Sequence, residues 1–254
     1  MDPLLYIILF AGGVIAGIIN AVAGGGSLLT LPLLIFAGLP PTVANGTNRV
    51  AVLAQSLASV GGFQRSRKIP WRTAGVLAVP AIVGSLGGAA AASVISDDMF
   101  RPVLAAVLLL MAGVIAIRPE RWLQPPDAPP PRPGLRAWLL FVAIGAYGGF
   151  IQAGVGFLLL AGLVPGLGLD LVRANGVKVV LALAFTAIAL GVFAFGSLID
   201  WRAGFALAVG GGVGGYLGAR LAVRHGAGWI RWVLVVTVTA SALEILGVRS
   251  LVFG

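Results

Sequence analysis

Two six-residue stretches carry the residue types best suited to hold a ligand, GGGSLL (Gly24–Leu29) and GVGFLL (Gly154–Leu159). Each sets glycine ahead of an apolar run that reads as a short helix. A helix N-terminus exposes unpaired N–H groups and the positive end of the helix dipole, which together favour an anion. Glycine lets a ligand approach that backbone closely, and it also breaks the helix before it. For either stretch alone, a turn that merely serves packing explains the glycines about as well. Two stretches of one kind favour a site at Gly24, Gly25, Gly26, Ser27, Gly154 and Gly156.

Polar residues stand close by in the chain. Asn20, Ser27 and Thr30 surround the first stretch and Gln152 precedes the second. The motifs ANGTNRV (Ala44–Val50) and ANGVKVV (Ala174–Val180) then open the next apolar runs, adding Asn45, Asn48, Arg49, Asn175 and Lys178. Ionisable residues inside apolar segments are functional candidates by default. Asn48 aligns with Lys178 and Arg49 with Val179, so each motif brings one cation at a non-equivalent position. Either cation alone reads nearly as well as a side chain snorkelling from a helix end. The pair points to an anionic ligand.

Other chemistries find little support. The chain has no cysteine, which excludes disulfides, thiolate metal sites and cysteine nucleophiles. GGGVGG (Gly210–Gly215) fits the dinucleotide-binding pattern but follows no strand. His225 lies alone in a basic loop, and Ser27 has no histidine or carboxylate base within the spans. The carboxylates Asp2, Asp97, Asp98, Glu120, Asp127, Asp170, Asp200 and Glu244 all fall outside the middle of any span. No metal, cofactor or enzymatic reaction is therefore expected. An intramembrane hydrolase would need a paired acid and base at a cavity, and a channel would lack saturable, selective flux.

Composition says where such a site must sit. With 59% hydrophobic and 10% charged residues and a mean hydropathy of +1.05, long apolar runs recur from end to end. These runs do not alternate as barrel strands do, so they read as membrane-spanning helices. The start lacks the basic region of a signal peptide and reads as mature structure. The net charge of +9 is then an orientation bias rather than a nucleic-acid footprint. The expected partners are the lipid bilayer and a small anionic substrate. A homodimer is compatible with this reading.

The chain also meets itself at a shift of 130 residues. Gly24, Gly26 and Leu28 fall on Gly154, Gly156 and Leu158; Ala44-Asn45-Gly46 falls on Ala174-Asn175-Gly176; Trp71 falls on Trp201; Gly84 and Gly88 fall on Gly214 and Gly218. The last two pairs read as small-residue helix packing. Residues 1–117 and 137–254 are thus expected to be two copies joined by a proline-rich linker, 118–136. Each copy is a broken apolar hairpin (about 4–38 and 137–168) followed by three spans. These spans cover about 46–64, 73–95 and 100–117, then 176–195, 203–223 and 229–247.

Basic residues mark cytoplasmic loops. Arg65, Arg67, Lys68 and Arg72, the linker arginines (Arg118, Arg121, Arg132, Arg136), and Arg220, Arg224 and Arg231 are put inside. Asp97, Asp98 and Arg101, with Asp200 and Arg202, are put outside. The copies then have opposite topologies, both termini face outside, and each hairpin enters and leaves on one face. The expected fold class is an all-α polytopic membrane protein of two inverted repeats, each a re-entrant broken hairpin plus three transmembrane helices. Inverted repeats whose broken helices converge at the midplane are a secondary-transporter arrangement.

The stretches GIINAVAGGGSLLTLPLL (Gly17–Leu34), ANGTNRVAV (Ala44–Val52), GVGFLLLAGL and ANGVK resemble the sulfite exporter TauE/SafE family of membrane permeases. Together with the repeat and the linker, the likeness covers nearly the whole chain. The resemblance implies export of sulfite, sulfoacetate or related sulfonates across the bacterial plasma membrane. An anion channel, or a permease for another small organic anion, is the alternative. Val155 stands where the first copy has Gly25 and Phe157 where it has Ser27, so hydroxyl contacts are expected from one copy only.

Overall fold

A computed structural model describes residues 3–116 and 133–245. Most of the linker, with Arg118, Arg121 and Arg132, and both chain ends lie outside the described residues. Among the described residues the structure is helical throughout. In chain order the elements are α1 (Pro3–Val22), α2 (Ser27–Phe36), α3 (Pro41–Arg65), α4 (Trp71–Ser93), α5 (Asp97–Ala116), α6 (Leu135–Phe150), α7 (Val155–Leu163), α8 (Leu171–Phe195) and α9 (Trp201–Ile245). α9 is interrupted at Gly226 (φ 68°, ψ −161°), which separates the last two spans expected from the sequence without a loop between them.

Four described helices are long and apolar enough to cross a membrane: Pro3–Val22, Trp71–Ser93, Leu171–Phe195 and Trp201–Gly226. α3 is as long as α8, 25 residues, yet buries Asn45, Thr47, Asn48, Arg49, Gln55, Ser56 and Ser59. It packs against both α8 and α9. A helix enclosed by protein can carry polar groups that a lipid-facing helix cannot. Sequence patterning put the start of this span near residue 46, within the polar motif that opens it. The structure starts it at Pro41, because proline suits the first helical turn, where no intrahelical N–H bond is lost. α8 begins at the equivalent place, where Asp170 Oδ1 accepts hydrogen bonds from the Val172 and Arg173 N–H groups at 3.0 Å each. The ANG motifs therefore sit one turn inside their helices, not at the mouths.

Apart from Gly226, the described positive-φ positions come in pairs 130 residues apart: Gly24 (φ 87°) with Gly154 (71°), Gly38 (93°) with Gly168 (63°), and Arg67 (52°) with Ser197 (55°). α3 and α8 share that register at both ends and run antiparallel. Gly46 near the start of α3 lies on Leu198, and Gly176 near the start of α8 lies on the Lys68 carbonyl.

The hairpins pack across the molecule rather than at home. α1 runs alongside the first part of α9 in the same direction, with Gly210 on the Phe10 carbonyl and Gly214 on that of Val14. α6 runs alongside α4 in the same way, with Gly84 on the Val142 carbonyl and Gly88 on that of Ala146. A β-carbon at any of these four glycines would overlap the neighbouring backbone, so the helices approach at glycine-limited distance.

The ends of the helices sort by charge. Thr42 donates to Asp97 Oδ1 from its N–H (2.9 Å) and hydroxyl (2.8 Å), and the Asp200 N–H donates to Thr47 Oγ1 (2.9 Å). These contacts gather Asp97, Asp98, Arg101, Asp200 and Arg202 at one end. At the other end Arg65 donates to the Tyr216 hydroxyl (2.7 Å), close to Lys68, Arg72 and Arg220.

Candidate functional site

Each hairpin is broken at the residues the sequence singled out. α1 stops at Val22 and α2 starts at Ser27; α6 stops at Phe150 and α7 starts at Val155. Gly24 and Gly154 take the left-handed backbone that L side chains rarely adopt, which turns the chain without a β-carbon penalty. The two breaks touch each other. A β-carbon on Gly24 would overlap the backbone of Gly156, and one on Gly156 that of Gly24. Gly25 lies against the Phe157 ring and Gly26 against the Ala16 carbonyl.

Part of the N–H cradle expected at each break is closed in this conformation. The Leu28 N–H donates to the Gly25 carbonyl (3.0 Å), and the Leu29 and Thr30 N–H groups to that of Gly26 (3.1 and 3.2 Å). The Val155 N–H donates to the Gln152 carbonyl (3.4 Å) and the Phe157 N–H to that of Gly154 (3.0 Å). The Gly25, Gly26, Ser27 and Gly156 N–H groups are not among these bonds, so backbone donors remain beside the side chains.

Arg49 is fully buried and ends α6. Its guanidinium donates to the carbonyls of Gly148 (3.0 Å), Gly149 and Phe150 (3.3 Å), and lies 4.5 Å from the centre of the Phe193 ring. Asn45 supports it, donating from Nδ2 to the Phe150 carbonyl (2.8 Å). Lys178 ends α1 in the corresponding way. Its ammonium donates to the carbonyls of Asn20 (2.8 Å) and Ala21 (3.1 Å) and to Asn175 Oδ1. The last carbonyls of a helix carry the negative end of its dipole and need donors. At membrane depth water cannot supply them. Each broken helix is therefore finished by a cation from the opposite half. Snorkelling, the sequence alternative for both cations, does not describe them: Arg49 is 0% and Lys178 2% exposed.

The remaining predicted residues divide into two groups. Beside Arg49, Asn48 donates to Ser27 Oγ (3.1 Å) and accepts from the Thr30 hydroxyl, a closed polar cluster. Beside Lys178 lies a narrow cavity lined by Asn20 and Ala21 of α1, Gln55, Ser56 and Ser59 of α3, Gln152 and Gly156 at the second break, and Lys178 itself. In this conformation it has room for little more than a water molecule. Gln152 Nε2 donates to the Thr186 hydroxyl, while Gln152 Oε1 is buried without a partner. Asn20, Gln152, Gly156 and Lys178 thus meet at one cavity. Gly24, Gly25, Gly26, Ser27, Asn45, Asn48, Arg49, Gly154 and Asn175 do not line it. Sequence reasoning missed Gln55, Ser56, Ser59 and Thr186. The first three continue the helical spacing of Asn45, Asn48 and Arg49 along one face of α3, a signal that was present.

A bundle of apolar helices with two touching helix breaks and buried cations belongs to the class of multi-pass membrane transporters. The family model for the sulfite exporter TauE/SafE matches residues 9–245, and the chain belongs to that family. Its relatives include "Probable membrane transporter protein ORF9" of Sinorhizobium sp, 27% identical over 94% of this chain and 91% of the relative. A "Probable membrane transporter protein" of Haemophilus influenzae is 29% identical over 91% of each chain. One of Xylella fastidiosa is 30% identical over 88% of this chain and 87% of the relative. No solved structure gives a significant match.

Proposed function

We propose that this transporter exports small sulfur-containing anions, namely sulfite, sulfoacetate or related organosulfonates, through a site between two inverted halves. The observation that carries the reading is the meeting of the two breaks at Gly24 and Gly156, beside a cavity whose lining includes the buried Lys178. The family description names sulfite export, and a buried ammonium, its three N–H groups held by the Asn20, Ala21 and Asn175 oxygens, offers an oxyanion a positive charge. Three features support the inverted halves: the shared register of left-handed positions, the antiparallel run of α3 and α8, and the exchange of hairpins between halves. The end rich in Arg65, Lys68 and Arg72 then faces the cytoplasm and the Asp97–Asp200 end faces outside.

The test is anion flux in proteoliposomes loaded with sulfite, sulfoacetate and a simple sulfonate in turn. Saturable flux of at least one, with mutual competition, is expected. Conductance that never saturates indicates the channel alternative. Saturable flux confined to non-sulfur organic anions indicates the other permease.

A further inference from the structure

The charge around the cavity goes further than the class of substrate. Among the described residues that line it, Lys178 is the ionisable one, and the facing groups from α1, α3 and α7 are neutral. The second buried cation does not contribute. Arg49 is enclosed by the end of α6, Asn45 and the Phe193 ring, and it does not line the cavity. The positive charge available to a ligand is therefore one, and its three N–H donors are already taken by the Asn20 and Ala21 carbonyls and Asn175 Oδ1, so a ligand meets the charge or displaces one of these acceptors. Those carbonyls form the negative end of α1, which repels a further negative charge. Gln152 completes the site. Its amide is held by Thr186 on one side and leaves a buried atom without a partner. If the Thr186 hydroxyl donates to the amide oxygen instead, the amide N–H₂ is the free group, and the cavity offers an anion two more donors.

We infer, resting on the anion-export reading but narrowing its substrate range to leave out sulfoacetate, that this site selects singly charged oxyanions: bisulfite and monoanionic sulfonates rather than sulfite dianion, sulfate or sulfoacetate. One charge on the ligand is balanced by Lys178, and a second would be buried without a counter-charge. The neutral side chains of Gln55 and Ser56, and of Gln152 with its amide turned, can hydrogen-bond the oxygens without adding charge, whereas the Ser59 hydroxyl is already given to the Gln55 and Gly215 carbonyls. Sulfite is a useful probe because it gains its second charge close to neutral pH, whereas methanesulfonate stays a monoanion throughout.

The experiment is equilibrium binding to the purified full-length protein, at mildly acid and mildly alkaline pH. The probes are methanesulfonate, sulfite, sulfate, sulfoacetate, chloride, nitrate and acetate. Methanesulfonate is expected to bind at least about tenfold more tightly than sulfate and sulfoacetate, and sulfite is expected to weaken at least about tenfold at the higher pH. Methanesulfonate should change by less than about twofold between the two conditions, which also reports any titration of Lys178 itself. Lys178→Gln should remove binding of every monoanion, and Gln152→Leu should weaken it without changing the preference for one charge. The wild-type ranking decides the matter even where a variant does not fold. Dianions that bind as well as methanesulfonate, or sulfite that tightens as pH rises, would overturn the inference. Binding of nitrate or acetate without any sulfur anion would remove the sulfur reading and leave the charge rule standing. Binding of none would remove both.

Discussion

Lys178 Nζ donates to the carbonyl of Asn20 at 2.8 Å, joining residues that lie 158 positions apart in the chain. The contact ties the end of α1 to α8, and Arg49 makes the reciprocal tie from α3 to the end of α6. One cation lines the cavity and the other does not, so the two should respond differently to substitution.

Arg49→Gln should act on stability. It leaves the buried carbonyls of Gly148 and Gly149 short of donors, while Asn45 still serves that of Phe150, and each unmet group costs about 1–3 kcal/mol. Thermal unfolding of the purified protein is expected to show a loss of about 2–5 kcal/mol. The anion affinity of the folded fraction should change by less than about threefold. An unchanged melting curve would show that Arg49 is not needed to end α6.

Gly156→Ala should stop transport. The added β-carbon meets the backbone of Gly24, which cannot withdraw as a flexible side chain would. Gly75→Ala, on α4 with open space around it, is the matched control and should be neutral or slightly stabilising, within about 1 kcal/mol. Flux assays on both variants at equal reconstitution levels make the comparison. Full activity in Gly156→Ala would remove the contact between the breaks from the mechanism.

Because the chain has no native cysteine, topology can be read by labelling single introduced cysteines. Lys68→Cys and Asp98→Cys are exposed and lie toward opposite ends of the bundle. An impermeant thiol reagent added to intact cells should label position 98 and spare position 68. Gln124→Cys in the linker should be spared too. The reverse pattern would turn the molecule over in the membrane.

Export should follow the membrane potential. The described acidic side chains lie toward helix ends, so the molecule offers no carboxylate relay along its described spans. Each negative charge leaving a negative-inside cell gains roughly 2.3 kcal/mol per 100 mV. Proteoliposomes with a clamped potential and matched pH and sodium should release loaded anion faster when the inside is negative. Efflux that ignored the potential and followed a proton or sodium gradient instead would establish obligatory coupling.

The positions of the breaks were legible in the sequence because glycine placement and a 130-residue self-match constrain backbone directly. α3 and α8 then match in length and register, as the ANG motifs implied. The roles of Arg49 and Lys178 were only half legible. Their charge and burial follow from local sequence, but their partners are carbonyls more than 90 residues away, and no local pattern encodes which helix end a long side chain reaches. The split between a closed cluster at Asn48 and an open cavity at Gln55–Ser59 was illegible for the same reason. Both lie on one continuous face of α3, and the neighbours separate them: α2 closes the face at Asn48, while α1, α7 and α8 bound the cavity at Gln55–Ser59.

The crossed helix endings have a consequence for how the chain is put together. Residues 3–116 hold a helix whose carbonyl end is unfinished and an arginine with no helix of its own to finish; residues 133–245 hold the complementary pair. Neither segment can satisfy its buried groups by itself, so each acts as the other's scaffold. α1 and α2, although made before it, must wait for α8 to be synthesised before their fold can close.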